Sequence, residues 1–282
     1  MNKQFITLVF ALLFLQCTQA QKTTNTMNPF NYEKAWNEVS DFESKGLPES
    51  ALKTVNDIYA HAKADKNSGQ LVKAVIHQLK FTDYKEENGF VKNLNRLKQE
   101  AESSAFPVKP ILHSMLGEMY WQYYQNNRYE FANRSETVNV DENDIETWSL
   151  AKIVRETFTQ YNLSLQDVEK SKAEKVDVYE PVIHKGNELG KQYRPTLYDF
   201  LAHRAVDFYQ QDEPDLTRPA YAFTLSRAEY LSDASTFATL KIETRDTLSM
   251  KFHALVILQD LIRFHLDDKD PGALVDVDLQ RL

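Results

Sequence analysis

Glycine is scarce in this chain, with 7 in 282 residues, well under half the usual share of roughly 7%. β-Sandwiches and barrels need turn residues about every 8–12 positions, and phosphate-cradling loops need clustered glycines. Gly46, Gly69, Gly89, Gly117, Gly186, Gly190 and Gly272 supply neither pattern, which argues against all-β and dinucleotide-binding folds. Cysteine is reduced to Cys17, and no run of Lys or Arg exceeds two residues. Beyond residues 5–15, no apolar run approaches the roughly 20 residues that cross a bilayer. What remains is 42% hydrophobic, 12% aromatic and 26% charged residues, enough apolar content for one or two sizeable cores. We expect an all-α protein, a helical hairpin array of tetratricopeptide-like or α-solenoid type, with no substantial β-sheet.

Residues 1–20 read as a signal peptide. Lys3 precedes the apolar run, and Thr18-Gln19-Ala20 places small residues at the expected positions before a cleavage site between Ala20 and Gln21. A second reading cleaves before Cys17 and lipidates it, although Gln16 stands where lipoprotein signals carry a small residue. Either way the expected address is the periplasm or cell surface, with a lipid anchor through Cys17 in the second case. Cleavage after Ala20 removes the sole cysteine, and with it disulfides, thiol catalysis and thiolate metal sites. The 33 Lys and Arg face 41 acids, a formal net charge of −8. Such a surface repels phosphate backbones, so nucleic acid is not an expected partner, and membrane contact is expected only through a lipidated Cys17.

Polar residues 21–28 read as flexible. Residues 29–125 form a repeat-like helical region. Tyr32, Trp36, Val39 and Phe42 recur at helical spacing and end at Gly46, placed to close a helix at positive φ. Pro48 opens the next helix, whose stripe is Ala51, Val55, Ile58 and Ala62. Further helices are expected over 68–80, over 90–105, and from Ile111 after the prolines at 107 and 110. Leu116-Gly117-Glu118-Met119-Tyr120 matches the core of a tetratricopeptide repeat, but the rest of that 34-residue period does not fall into register. Residues 126–147 form a polar loop without periodicity, and 148–282 a second helical region. There Pro195 and Thr196 start a helix with Asp199 placed to complete its cap and with Leu197, Leu201, Ala205 and Phe208 as its stripe. At the end, Val275, Leu279 and Leu282 lie on one stripe with no closing residue. Either further protein or a partner covers that stripe, or the helix docks on its own core.

Catalytic, cofactor and metal residues are not expected. Metal-binding His/Cys clusters and H-E-x-x-H are absent, and no serine sits between glycines. His203 and Asp207, at i and i+4, have the spacing to share a proton or metal, but a core hydrogen bond is the simpler reading. His113 and Glu118, five apart, diverge around the helix. Acid pairs Asp141-Glu142 and Asp267-Asp268 fall in a loop and at a helix end, not in a dry cleft. Trp121, Tyr123, Tyr124 and Tyr129 have the composition of a binding groove, with packing between helices as the plainer account. Asn133-Arg134-Ser135 and Asn162-Leu163-Ser164 are N-glycosylation sequons, and Asp246-Thr247-Leu248 makes Thr247 a candidate O-glycosylation acceptor.

Three segments resemble the N-terminal helical region of the large alpha-2-macroglobulin-like proteins exported by Bacteroidetes. They are Gly46-Leu47-Pro48-Glu49-Ser50-Ala51-Leu52-Lys53, Trp121-Gln122-Tyr123-Tyr124-Gln125-Asn126-Asn127-Arg128 and Tyr193-Arg194-Pro195-Thr196-Leu197-Tyr198-Asp199-Phe200-Leu201-Ala202-His203-Arg204-Ala205. The resemblance implies an exported, non-enzymatic helical module of an endopeptidase-inhibitor family, serving as scaffold or docking region beside protein partners or downstream macroglobulin domains. The family's thioester and bait segments have no counterpart in these residues. The alternative is a free-standing periplasmic adaptor that binds a peptide or protein partner.

Overall fold

Eight residues, Gly46 to Lys53, set the tone of the molecule: a glycine-closed helix end, a proline-opened start, and the first residue of a stripe that vanishes into the core. In the computed structural model, which describes residues 29–83, 89–131, 141–183, 188–211 and 219–282, Gly46 has φ 68°. Its N–H donates to Glu43 O at 3.0 Å and the Leu47 N–H donates to Phe42 O at 2.9 Å, the two hydrogen bonds that satisfy carbonyls in the last turn of helix α1 (Tyr32–Ser44). Pro48 then sits in the first turn of α2 (Pro48–Ala64), where its missing N–H costs nothing. Ala51, Val55, Ile58 and Ala62 are each fully buried.

The next helices pack in chain order: α2 on α3 (Ser68–Asp83), α3 on α4 (Gly89–Ser103), and α4 on α5 (Val108–Asn126). The described residues therefore begin as the expected array of helical hairpins, and they contain no strand, only an isolated antiparallel bridge between Lys175 and Thr196. Helix α5 starts at Val108, earlier than the prolines suggest. Pro110 lies in its first turn, where backbone N–H groups have no intrahelical acceptor, so the ring removes no hydrogen bond. After the short α6 (Arg128–Phe131), the polar segment is tied down at Phe131, Ile145 and Trp148, all buried. Ser149 Oγ accepts from Lys152 N and caps α7 (Leu150–Ser164). Helix α7 lies along α5. Their close approach depends on Gly117, because a Cβ there would stand 3.0 Å from the Tyr161 ring.

Beyond α8 (Val168–Ala173) and α9 (Glu188–Tyr193), helix α10 (Leu197–Tyr209) occupies the centre. One face, Leu197, Leu201, Ala205 and Phe208, belongs to a core cluster built with α5 and α7. The opposite face, Tyr198, Ala202 and Val206, belongs to a second cluster with α11 (Ala234–Thr239), α12 (Met250–His265) and α13 (Gly272–Arg281). A helix apolar on both sides has to be enclosed, and α10 is. Tyr32–Leu282 form one compact unit; residues 29–31 before it are described, without helix. The expected signal peptide, its cleavage residues Ala20 and Gln21, Cys17, and the flexible stretch 21–28 lie outside the described residues.

Candidate functional site

Two polar side chains of α10, Asp199 and His203, are as buried as its apolar ones, and they show how the fold uses its charge. Asp199 is fully buried. Its Oδ2 accepts from Thr196 N at 2.9 Å and Thr196 Oγ1 at 2.8 Å, completing the capping box that the sequence predicts. Its Oδ1 accepts from His265 Nε2 at 2.8 Å, and His265 Nδ1 donates to Asp268 Oδ2 at 2.7 Å. Burial disfavours the imidazolium, but the hydrogen bonds and charges of Asp199 and Asp268 outweigh it and hold the His265 pKa above its ordinary value. With both ring nitrogens donating, His265 has no lone pair to abstract a proton. The trio is a charge clamp between α10 and the C-terminal end of α12.

His203 goes to a different partner from the one its spacing suggests. Its Nδ1 donates to Gln280 Oε1 at 2.7 Å, and Asp276 lies 4.0 Å from Nε2. Asp207 is exposed. Burial lowers the His203 pKa, aided by Arg194, so the ring is neutral. His113, likewise lowered by burial, donates to Gln160 Oε1 at 2.7 Å and not to Glu118. Among the described residues no group of three or more His, Cys, Asp or Glu is arranged to hold a metal, and no helix is long and apolar enough to cross a membrane.

The aromatic segment is packing, not groove. Trp121 and Tyr124 are buried; Trp121 meets Phe208 edge-on at 5.4 Å, Tyr124 meets Phe131 at 5.6 Å, and Tyr123 stacks on Phe90 at 5.3 Å. Tyr129 alone of the four faces solvent, 90% exposed. The sequon at Asn162 is blocked, because Ser164 is fully buried and its Oγ donates to Tyr161 O; the sequon at Asn133 lies outside the described residues. Thr247 is exposed in a turn. That turn is fixed on both sides: Asp246 Oδ2 accepts from Phe223 N at 3.1 Å, and Thr247 O accepts from His253 Nε2 at 2.8 Å.

The strongest candidate for an interaction surface is α13. Its inner face is anchored by buried Ala273 and Val277 and by Arg281. The Arg281 guanidinium donates to Tyr230 O, to Ser232 O at 2.8 Å and to Asp278 Oδ1 at 2.8 Å, and lies 4.5 Å from the Phe237 ring centroid. The outer face carries Val275 and Leu279, 51% and 69% exposed, and Leu282, 66% exposed, follows directly after the helix. The helix therefore docks on its own core, as one reading of the sequence expects, but through the face opposite the stripe. Sequence periodicity finds the apolar stripe; the anchoring role of Arg281 has no signature beyond a cation in the last turn.

No family model matches the chain, and no curated protein or solved structure matches it.

Proposed function

We propose that this chain is a non-enzymatic helical docking module, held rigid by its two cores and engaging another protein through the outer face of α13. The observation that carries this reading is the exposed Val275, Leu279 and Leu282 row on a helix whose opposite face is firmly anchored. An i, i+4, i+7 apolar row is the recognition pattern of a helix lying in a partner's groove. The partner class comes from the resemblance: a macroglobulin-type protein in protease defence at the periplasm or cell surface. Segments carrying that resemblance build the rigid frame, since Tyr193 to Ala205 includes most of α10 and Gly46 to Lys53 forms the α1–α2 link.

The test compares complexes recovered from the envelope of the native host with wild-type chain and with Leu279→Lys. A macroglobulin-type protein identified by mass spectrometry with the wild type and depleted at least tenfold with the variant supports the reading. Equal recovery with both, or recovery of a partner without macroglobulin domains, overturns it, the latter in favour of the free-standing adaptor.

A further inference from the structure

A cleft of about 370 Å³ opens where α3, α5, the turn at Val176–Tyr179 and α10 meet. That is within the roughly 300–1,000 Å³ of small-molecule sites. Its floor is buried Val72 and Ile111; half-buried Ile76, Met115 and Phe200 form walls. Arg204 is the charged side chain lining it, and among the described residues no carboxylate does. Water in such a recess finds few hydrogen-bond partners, so apolar chain displaces it favourably.

The guanidinium is fixed in place. Arg204 Nε donates to Ser114 Oγ at 2.8 Å, and Ser114 is fully buried. The group lies 5.6 Å from the Phe200 ring centroid, one helical turn away. Nη2 stands 3.6 Å from Glu118 Oε2. Glu118 itself accepts from Gln122 Nε2 at 2.7 Å and Tyr161 OH at 3.3 Å, so it does not depend on Arg204. Nη1 makes no hydrogen bond among the described residues. An arginine held on one edge and free on another is built to take an oxyanion.

We infer that this cleft binds a single-chain amphiphile with a carboxylate head: the acyl chain between α3 and α5, the carboxylate on Arg204. The cleft alone carries this site, independently of the docking face on α13. The experiment is calorimetric titration of the purified chain with octanoate and with octanol, which share a chain and differ in head charge. Wild type is expected to bind one octanoate per chain. Arg204→Met should weaken octanoate by about tenfold or more, the value of a charge-assisted hydrogen bond, and leave octanol within about twofold; retained octanol binding also confirms the fold of the variant. Ile76→Trp, or Val182→Trp if the first does not fold, fills the cleft and should abolish binding of both. Absence of saturable octanoate binding, undiminished binding in Arg204→Met, or undiminished binding in a folded tryptophan variant overturns the site.

Discussion

Two residues concentrate the physics that holds this fold together. Gly117 is the first: a Cβ there would meet the Tyr161 ring at 3.0 Å, and Tyr161 is buried and stacked on Phe208 at 5.3 Å, so it has nowhere to go. Alanine in a helix gains about 1 kcal/mol over glycine, whereas overpacking costs about 1–3 kcal/mol. Gly117→Ala is therefore expected to lower stability by about 1 kcal/mol in urea unfolding, and a gain would show that α5 and α7 are less closely apposed. His265 is the second. Its pKa is raised in the folded chain, so its contribution is complete below the ordinary value of about 6.5 and is lost as pH rises through the raised one. His77, His113, His203 and His253 have the opposite sign. Burial lowers their pKa values, and their contribution fades as pH falls below about 6.5. Comparing wild type with His265→Asn cancels those four. The variant should lose about 3 kcal/mol at pH 6, where the clamp is charged, and progressively less as pH rises through the raised pKa; a loss that stays constant through the full titration of the ring, followed by NMR, would mean that the His265 charge plays no part.

At the scale of helices, the sequence made its stops and starts readable where one residue type has one physical use. Gly46 at positive φ, Pro48 in a first turn and Thr196 with Asp199 across a capping box need nothing beyond local chemistry. The stripe Leu197, Leu201, Ala205 and Phe208 was equally plain. Its counterpart, Tyr198, Ala202 and Val206, was not, because it is interleaved with Asp199 and His203, whose burial depends on His265 and Gln280 far along the chain. The same holds for Arg204 and Arg281: their acceptors, Ser114 and the Tyr230 and Ser232 carbonyls, are 90, 51 and 49 residues away. Arg281→Met should leave those carbonyls without a donor, at a cost of about 2 kcal/mol. Faster amide exchange across residues 272–281, with α2 unchanged, is the expected readout; unchanged exchange in α13 would mean that Ala273 and Val277 suffice to hold it.

Across the whole molecule, the polar segment at 126–147 separates two helical regions in sequence, but α5 lies along α7 and α10 contributes to both core clusters. Unfolding is accordingly expected in one cooperative step, with coincident urea curves from helical circular dichroism and from the fluorescence of Trp36, Trp121 and Trp148; separated curves would mean the clusters fold apart. A frame of that kind leaves the outer face of α13 free to act without cost to the core. Leu279→Lys should change stability by less than about 0.5 kcal/mol, as surface substitutions do. The most direct test is a photo-crosslinking amino acid at position 279 in the native host, with one at exposed Lys53 as control. The docking account predicts a crosslink from position 279 to a macroglobulin-type protein and none from 53. Crosslinks from 279 confined to this chain or to lipid would contradict it.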